Sequence, residues 1–330
     1  MSLVRGARAA GHDVTVAAAP GPLAAELGAE PLPLPLVRRR PWRVPGAALD
    51  VRRALRAARP EVVHAHNPGM ALVSGLVTRR GKHPPGLVSV HGVPEEDWPA
   101  ATRLVRFSGL SPVACGPGVS AALEAHGCAP LATVPNAVGP PPPAADRREL
   151  ERDWKLRPGT RLVLAVGRLV EQKNHVLAIR ALAGVPETTL AIVGEGPLRP
   201  ELERAAAEAG VTDRVVLAGL RPDARALMGG ADAIVLSSHW EGLPLTALEA
   251  LASGTPLVAT AVRGLAELVE DGRNALLAPP DDPEALAEAL RRVLDDRGLG
   301  ARLAREARSV GGSEDEMVAE FLALYERLAA

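Results

Sequence analysis

The sequence has few of the residues on which several classes of binding protein depend. Aromatic residues make up 2% of the 330 positions, and 38 Lys and Arg nearly balance 39 Asp and Glu, so the net charge is −1. Such a chain has neither the stacking platforms nor the basic field that nucleic-acid binding requires. We therefore expect no nucleic-acid partner.

Cysteines and long apolar runs are also scarce. Cys115 and Cys128 have neither metal-site nor redox-pair spacing, so we expect reduced thiols, with a disulfide as the less favoured alternative. No apolar run approaches the roughly 18 residues of a transmembrane helix, and the first residues do not have the pattern of a secretory signal. The expectation is a soluble cytoplasmic protein, and peripheral membrane contact through the arginines at 38–40 is a weaker alternative.

Lysine is rare in this arginine-rich sequence. Three of the 38 basic residues are lysine, at positions 82, 155 and 173. In a sequence this biased towards arginine, composition alone does not account for a lysine inside a loop of motif residues. Lys173 is therefore a candidate functional residue.

Short apolar runs alternate with longer amphipathic segments along most of the chain. Uninterrupted apolar runs are typical of parallel strands covered on both faces by helices. The predicted strands are residues 13–18, 61–65, 87–90, 112–115, 131–134, 161–166, 188–193, 215–217, 233–236 and 256–260. The predicted helices include 48–58, 175–183, 200–209, 283–294 and 314–328. An α/β architecture with doubly wound parallel sheets follows.

The run Gly-Pro-Pro-Pro-Pro at 139–143 divides the chain into halves of similar size. It can form neither a helix nor a central strand, so it predicts a stiff extended linker. We predict a first domain at 1–138, a linker at 139–150 and a second domain at 151–312. The amphipathic segment 313–330 predicts a final helix, which packs either on the second domain or back on the first.

The most informative segment is residues 240–249, Trp-Glu-Gly-Leu-Pro-Leu-Thr-Ala-Leu-Glu. It follows a predicted strand, and Pro244 predicts the first position of a helix. The N–H groups of that first turn, around Gly242, Leu243 and Leu245, form a potential anion site. Glu249 lies five residues into the helix, about 7–8 Å along an axis that rises about 1.5 Å per residue, which suits a ribose beyond a phosphate.

Two carboxylates beside a phosphate site require cations nearby. Glu241 and Glu249 can each accept bonds from vicinal sugar hydroxyls. The loop after the predicted strand 161–166 supplies Arg168 as a fork and Lys173 as a point charge. Singly, each of these residues is more often a solvated surface residue. Their common placement at the carboxyl ends of strands in one sheet favours a binding site.

These motifs resemble the retaining GT-B glycosyltransferases of family four. The resemblance rests on Glu-x7-Glu at 241 and 249, Gly-Arg-Leu at 167–169 with Lys173, Val-Gly-Glu-Gly-Pro at 193–197 and Ala-Ser-Gly-Thr-Pro-Leu-Val-Ala-Thr at 252–260. It extends from residue 4 to about 328. It implies two Rossmann-like domains, a donor diphosphate held by Arg168 and Lys173, a ribose held by Glu249 and a transferred sugar held by Glu241. It also implies that the last helix returns to the first domain.

The first half contributes a histidine to this resemblance. Val-Ser-Val-His-Gly at 88–92 is similar to the family's strand-end motif and places His91 near the sugar and the reaction centre. His64 and His66 fit a family pattern as structural or acceptor-side residues. Pro-Asn-Ala-Val at 135–138 is similar to the family's Pro-Asn-Gly-Val, with Ala137 in place of glycine.

Gly194 stands between a strand and a helix, as in a dinucleotide fingerprint. The third glycine of that fingerprint is replaced by Arg199, so a Rossmann dehydrogenase is a weak alternative. We assign Gly194 to donor binding instead.

The match begins inside a helix of the family pattern, at residues 3–14. The strand and glycine-rich turn that precede this helix in the family are not in the sequence. We expect in-frame sequence upstream of Met1 to encode an apolar strand and a Gly-Gly turn; a true loss of this segment is the alternative, and it would expose sheet edges.

The predicted function is retaining transfer of a sugar from a nucleotide-diphospho-sugar, of UDP or GDP type, to a hydroxyl of a small-molecule, lipid or glycan acceptor. No cofactor and no metal are expected, because Arg168, Lys173 and the helix start supply positive charge. Closure about the linker would exclude water. The alternatives are a non-catalytic nucleotide-sugar-binding protein and a GT-B nucleotide-sugar epimerase.

Overall fold

A computed structural model describes residues 2–18, 32–34, 44–78 and 84–330. The arginines at 38–40 and Lys82 lie outside these residues. The chain divides into two compact units, one formed by Met1–Asn136 with Gly312–Ala330 and the other by Ala137–Gly311.

The first unit is an α/β layer structure. Its strands are β1 (Ala17–Ala18), β2 (Leu32–Pro33), β3 (Val63–Ala65), β4 (Gly86–Val90), β5 (Ser111–Ala114) and β6 (Ala132–Thr133). Its helices are α1 (Ser2–Ala9), α2 (Val44–Ala58), α3 (Pro68–Thr78), α4 (Trp98–Ser108) and α5 (Pro117–Ala125). Strands β3 to β6 form a parallel sheet in chain order, and β1 pairs with β2 in a separate parallel pair.

The final helix belongs to the first unit. It spans Glu314–Ala329 and starts at a capping box in which Ser313 and Glu316 satisfy each other's backbone N–H groups. Phe321 and Leu324 are buried in one cluster with Leu87 of β4 and with residues of β5 and the β6 end. The apolar stripe at helical spacing thus fills a face of the first sheet.

The second unit is a six-stranded parallel sheet with helices on both faces. Its strands are β7 (Arg161–Val166), β8 (Thr188–Val193), β9 (Val215–Gly219), β10 (Ala233–Leu236), β11 (Leu257–Thr260) and β12 (Leu276–Ala278). Its helices are α6 (Arg147–Asp153), α7 (His175–Leu182), α8 (Arg199–Glu208), α9 (Ala224–Gly229), α10 (Leu245–Ser253), α11 (Arg263–Ala266), α12 (Pro283–Asp295) and α13 (Arg297–Ala307); the final helix Glu314–Ala329 is α14.

Alternate residues of the central strand β7 enter different cores. Val163 and Ala165 lie in the cluster on the side of α7 and α12, whereas Leu162 and Leu164 lie in the cluster on the side of α9 and α10. Because both faces are covered, the strand is apolar at every position after its first residue, the half-buried Arg161. The predicted parallel α/β architecture is confirmed for each unit.

The strand order places a topological switch point in the second unit. The order is β12-β11-β10-β7-β8-β9, so the chain leaves β7 towards β8 on one side and later returns to β10 on the other. The loops after β7 and β10 therefore diverge from neighbouring strand ends, where open parallel sheets bind ligands.

The structure differs from the sequence prediction around the linker. The proline run has neither helix nor strand, as expected, but α6 begins at Arg147, inside the predicted linker 139–150. Asp146 caps this helix by accepting a bond from the Arg148 N–H, and Leu150 is 2% exposed in the second unit's core. Six of the seven residues of this helix are charged and one leucine is buried, so the sequence shows no repeating apolar pattern from which a helix could be predicted.

Two findings concern the scarce residues and runs. Cys115 and Cys128 are both buried, and neither forms a disulfide with another described residue. Within residues 2–18, 32–34, 44–78 and 84–330, no helix is long and apolar enough to cross a membrane.

Candidate functional site

The loops that follow β7 and β10 are joined by hydrogen bonds. The His239 N–H donates to the Gln172 carbonyl at 2.9 Å, and the Ser237 hydroxyl donates to the carbonyls of Lys173 and Asn174. Residues 167–174 and 237–241 therefore form one surface at the switch point.

Glu241 is the centre of this surface. Its Oε1 accepts bonds from Lys173 Nζ at 2.6 Å and Ser238 Oγ at 2.7 Å, and Gln172 Nε2 lies 3.4 Å from its Oε2. The side chains of Glu241 and Lys173 are 6% and 13% exposed. A pair so withdrawn from water depends on these additional donors, because two desolvated charges alone barely offset their loss of hydration.

The loop after β7 also packs closely on the loop after β8. The Leu169 N–H donates to the Glu195 carbonyl, and Gly194 has φ of +151°. A Cβ built on Gly194 would lie 1.9 Å from the Gly167 carbonyl oxygen. A glycine is required here because two backbone segments approach each other closely. This contact fixes the position of the loop that carries Arg168.

Arg168 is exposed on this loop. In the described part of the chain, no side-chain hydrogen bond or ion pair is seen for its guanidinium. It differs in this respect from Lys173, which is already engaged by Glu241. The two predicted cations therefore lie on one loop, but Lys173 is paired with a carboxylate whereas Arg168 is exposed to solvent.

The start of α10 differs by one residue from the prediction. Pro244 is the residue before the helix, with φ −73° and ψ 122°, and the first helical residue is Leu245. The Pro244 carbonyl accepts bonds from the N–H groups of Ala247 and Leu248. Pro244 at the first helical position was wrong, because its own ψ is extended, although proline still fixes the entry of the chain. Leu243 immediately precedes it and is 9% exposed.

Gly242 lies against a second glycine that the sequence did not single out. A Cβ on Gly264 would stand 1.9 Å from the Gly242 carbonyl oxygen. The N–H groups of Leu245 and Thr246, in the first turn of α10, have no intrahelical acceptor, and no hydrogen bond from them is seen within the described part of the chain.

Glu249 is the fifth residue of α10, one position nearer the helix start than in the prediction, which began the helix at Pro244. Its side chain is 25% exposed, and Arg225 of α9 brings Nε to 3.7 Å from Glu249 Oε1. Burial raises the pKa of Glu249, and the positive charge of Arg225 opposes that shift. Arg225 stood in an unremarkable amphipathic segment, so no signal in the sequence could have found it.

His175 lies beneath the loop of residues 167–174, here called the cation loop, at the first position of α7. It is 5% exposed, and neither ring nitrogen has a hydrogen-bond partner among the described residues. Burial lowers the pKa of His175 to about 4, and the nearby backbone of Gly167 and Arg168, although outside hydrogen-bond geometry, acts in the opposite direction. The ring is therefore neutral at pH 7, next to Lys173.

The first unit holds a stack of three histidines at the ends of β3 and β4. The ring centroids of His64 and His66 are 4.1 Å apart, and those of His66 and His91 are 5.8 Å apart with planes at 8°. His64 is also hydrogen-bonded to Tyr325 OH at 2.7 Å and to Ser89 Oγ at 2.8 Å. His66 and His91 keep an exposed edge.

The three rings are held neutral by their surroundings. Desolvation is the main cause that lowers the pKa of each ring, to about 4 for His66, and the positive charge that neighbouring rings would carry adds to the effect for His64 and His66. Neutral imidazoles can both donate and accept hydrogen bonds. The stack thus presents polar rings without adding charge.

The predicted site residues fall into two sets. Arg168, Lys173, Gly194, Glu241 and Glu249 lie in the second unit together with residues 242–245, and His91 lies in the first. Sequence reasoning missed Ser238 and assigned no role to Gln172. Both are polar residues directly beside predicted ones, which was the available signal.

A separate cavity of about 520 Å³ lies behind the cation loop. It is lined by residues of that loop and of α7 and α8, with His175, His239 and Asp281 among them. Arg168, Lys173, Glu241 and Glu249 do not line it. We therefore do not assign the predicted site to this cavity. Within the described residues, no group of three or more His, Cys, Asp or Glu is placed to hold a metal ion.

Comparison with protein families gives a match in each half of the chain. The family described as glycosyl transferases group 1 matches residues 146–310, and glycosyltransferase family 4 matches residues 1–140.

Curated relatives carry related names. Glycogen synthase of Mycobacterium tuberculosis is 36% identical over 283 residues, covering 77% of this chain and 64% of its own length. Lipopolysaccharide core biosynthesis glycosyltransferase LpsE of Rhizobium meliloti is 36% identical over 143 residues, 43% of this chain and 42% of its own. The chain therefore spans about two fifths to two thirds of the length of these relatives.

Solved structures share the fold at low identity. Anabaena HepE in complex with UDP and glucose has a TM-score of 0.85 and 19% identity, covering 98% of this chain and 95% of its own. WaaG, a glycosyltransferase involved in lipopolysaccharide biosynthesis, has a TM-score of 0.71 and 20% identity, covering 100% and 93%. These likenesses confirm the predicted GT-B fold with two Rossmann-like units.

Proposed function

Because the chain belongs to the glycosyl transferases group 1 family, we propose that it transfers a sugar from a nucleotide-diphospho-sugar to an acceptor hydroxyl with retention at the anomeric carbon. The observation that carries this proposal is the Glu241 network at the switch point of the second unit. This network joins a carboxylate to a lysine beside the exposed Arg168, at strand ends of the kind where parallel sheets bind ligands.

The donor is gripped by residues of the second unit. The guanidinium of Arg168 and the first N–H groups of α10 bind the diphosphate, and Glu249 accepts bonds from the ribose hydroxyls. Lys173 shares its charge between the diphosphate and Glu241, 2.6 Å away. Glu241 in turn accepts bonds from the transferred sugar, held in place by Ser238.

The chemical step breaks the bond between the anomeric carbon and the diphosphate oxygen. The acceptor oxygen attacks from the same face, and its proton passes to the departing phosphate oxygen. Negative charge grows on that oxygen in the transition state, where Arg168 and Lys173 stabilise it. We assign His91 to the sugar, as a neutral ring that can bond to a hydroxyl or turn its backbone carbonyl towards one. With these charges, the reaction is proposed to need neither a metal nor a cofactor.

Support for a UDP-type donor comes from HepE, whose solved complex contains UDP and glucose; a GDP-type donor is the alternative. The names of the curated relatives include glycogen, lipopolysaccharide core and D-inositol 3-phosphate. These molecules differ in class, so we propose for the acceptor only that it is a small molecule, lipid or glycan with a reactive hydroxyl. We place the reaction in the cytoplasm, and an acceptor in a lipid would require peripheral membrane contact.

The test is isothermal titration of the protein with UDP-glucose, GDP-mannose and ADP-glucose, with and without EDTA. One nucleotide is expected to bind at micromolar Kd, unchanged by EDTA. Glu249→Ala should weaken binding at least tenfold, since about 1.4 kcal/mol is tenfold and a charge-assisted hydrogen bond contributes about that much or more. Slow donor hydrolysis in water would report the transfer step before an acceptor is known.

Glu267→Ala is the matched control, since Glu267 lies beyond α11 on the same unit and has no assigned role in the donor site. Failure of all three nucleotides to bind would contradict the proposal. Equal loss of binding in both glutamate variants would withdraw the ribose assignment. Conversion of the donor into another nucleotide-sugar, with no acceptor present, would instead identify an epimerase.

A further inference from the structure

Arg225 lies between the proposed ribose carboxylate and the proline segment. Its Nη2 donates to the Gly139 carbonyl at 2.6 Å and the Pro140 carbonyl at 3.0 Å, while its Nε lies 3.7 Å from Glu249 Oε1. One guanidinium therefore contacts both features. Its side chain is 35% exposed, so the contacts form at the edge of the unit rather than in its core.

The proline segment has few ways to attach itself to the second unit. Four successive prolines at 140–143 have no N–H to donate, so their carbonyls are their main polar groups. The start of the segment is held by the two bonds from Arg225, and its end by the Ala145 N–H, which donates to the Ala226 carbonyl at 2.9 Å. Both anchors are on α9.

A positive neighbour favours the ionised form of Glu249, because burial raises the pKa of this carboxyl. Glu249 is the sole ionisable residue of α10, whose sequence is Leu-Thr-Ala-Leu-Glu-Ala-Leu-Ala-Ser. Of the elements that pack on α10, α9 contributes Arg225 as its one charged residue and β11 contributes none. Burial raises the pKa of Glu249 and the charge of Arg225 lowers it, with no further shift from the charged residues of α13, which are Arg297, Arg302, Arg305 and Glu306. An ionised carboxylate binds hydroxyls more strongly than a protonated one.

We propose that Arg225 is a positioning residue that holds Glu249 ionised for the ribose and, through the Gly139 and Pro140 carbonyls, couples nucleotide binding to the attachment of the proline segment. This inference rests on the proposed function, because it takes Glu249 as the ribose ligand. The 3.7 Å contact leaves lone pairs of Oε1 free, so ribose and Arg225 can engage the carboxylate together. Binding that orders Glu249 then orders the guanidinium and the two carbonyls it holds.

Coupling of this kind is reciprocal, so each partner must report the other. Nucleotide binding should slow amide exchange at Val138, Gly139, Ala144 and Ala145, the N–H groups that flank the prolines. Loss of Arg225 should weaken nucleotide binding and abolish that protection. A residue that merely stabilised the fold would affect neither the pH profile nor this exchange selectively.

The experiment compares wild type, Arg225→Gln, Arg225→Lys and Glu249→Gln by titration with UDP-glucose from pH 4.5 to 8 and by hydrogen exchange. UDP-glucose is used because its diphosphate, esterified at both ends, does not titrate in this range. If the nucleotide panel selects a GDP-sugar, GDP-mannose replaces it. Wild-type affinity should fall at acid pH as Glu249 takes up a proton.

In Arg225→Gln, affinity at pH 7 should fall about tenfold, a typical coupling factor. The decline of affinity at acid pH, here called the acid limb, should move to higher pH. In Glu249→Gln the same limb should be absent. Arg225→Lys retains the charge but lacks the fork, so it should keep the wild-type limb and lose the protection of the segment. These variants separate the electrostatic part of the inference from the attachment part.

Arg214→Gln is the matched control. Arg214 also donates to two backbone carbonyls, those of Val185 and Thr188, but no ion pair to it is seen among the described residues. It should bind like wild type. The inference is overturned if Arg225→Gln keeps the wild-type acid limb and exchange protection while wild type binds UDP-glucose. Absence of nucleotide binding by wild type would contradict the proposed function itself.

Discussion

Glu241 shows how a charged side chain is kept inside the second unit. At 6% exposure it has lost nearly all of its hydration. Lys173, Ser238 and Gln172 replace that water with three donors of different kinds, one charged and two neutral. A donor diphosphate would compete with Glu241 for the lysine, so the network that stabilises the unit also sets how readily the cation is shared.

Lys173→Met should destabilise the second unit by about 3 kcal/mol, because it leaves the Glu241 charge buried without its cation. Glu241→Gln in the same background should recover much of this loss, since a neutral amide can still accept from Ser238. Urea unfolding of the four proteins measures the coupling in a double-mutant cycle. Additive losses would show that the two charges do not stabilise each other.

Gly194 is the residue at which backbone space decides the site. Gly194→Ala should displace the Arg168 loop, because its Cβ would meet the Gly167 carbonyl oxygen at 1.9 Å. We expect nucleotide affinity to fall at least tenfold and stability to fall by more than about 1 kcal/mol, the usual cost of alanine at a glycine conformation.

Gly210→Ala provides the comparison for that variant. Gly210 also has positive φ, +67°, but nothing lies within 4 Å of its added Cβ. It should lose about 1 kcal/mol of stability and no nucleotide affinity. Titration with UDP-glucose and urea unfolding of both variants distinguish them; similar binding losses would show that the loop contact is irrelevant.

For single residues, the sequence indicates those functional side chains that lie directly after a predicted strand. Lys173, Glu241 and Glu249 could be identified because parallel strands end at one edge, and because their spacing resembles a known family. Arg225 and His175 could not, because an arginine on a short helix and a buried histidine carry no signal without the tertiary contacts. The site residues themselves stay predictions until a ligand is bound.

Helix α14 is the element that ties the chain terminus to the histidine stack. Tyr325 bonds to His64 at 2.7 Å, and burial raises the pKa of the Tyr325 phenol, so the hydroxyl keeps its proton. His64 uses its other nitrogen for Ser89. With both nitrogens engaged, one ring orientation is favoured, and His66 packs against that ring.

Tyr325→Phe should cost about 1 kcal/mol, the net contribution of one hydrogen bond, and should change the tautomer ratio of His64. Nitrogen-15 NMR of the imidazoles gives that ratio. Ser313→Ala weakens the same helix at its cap by about 1 kcal/mol and does not touch His64, so it should leave the imidazole signals unchanged. Identical spectra for wild type and Tyr325→Phe would contradict the assignment of the bond.

Elements buried on both faces were the easiest to predict. Strands β7, β8 and β10 have the bounds that the apolar runs indicated, because the interior residues of these strands are buried on both faces of the sheet. At the margins the pattern fails. Residues 13–18 predicted a six-residue strand, yet only Ala17–Ala18 is one, and the short β2 and β12 were missed. Two or three residues are too few to show a period.

At the scale of the molecule, buried neutral histidines make stability depend on acid. The folded pKa of His175 is about 4, below the ordinary value of 6.5. Between these values the unfolded chain binds more protons than the folded one, so the free energy of unfolding rises with pH. The full contribution is present above pH 6.5 and is lost as the pH falls towards 4.

For His175 alone the predicted loss is about 3 kcal/mol, at about 1.4 kcal/mol for each pH unit. His175→Leu should unfold with a flatter pH dependence and be no less stable at pH 7, because it removes two ring nitrogens that have no partner among the described residues. Urea unfolding at pH 4.5, 5.5 and 7 measures this. A slope equal to wild type would place the acid sensitivity elsewhere.

The burial of Lys173 also makes the molecule a poor substrate for acylating reagents at its proposed centre. Lys155 is exposed, whereas Lys173 is 13% exposed and its amine is bound to Glu241. An active ester should therefore modify Lys155 quickly and Lys173 slowly, and mass spectrometry can read both from one digest. A ligand that draws the amine away from Glu241 would change the rate of acylation at Lys173 alone. The rate at Lys155 serves as the internal reference.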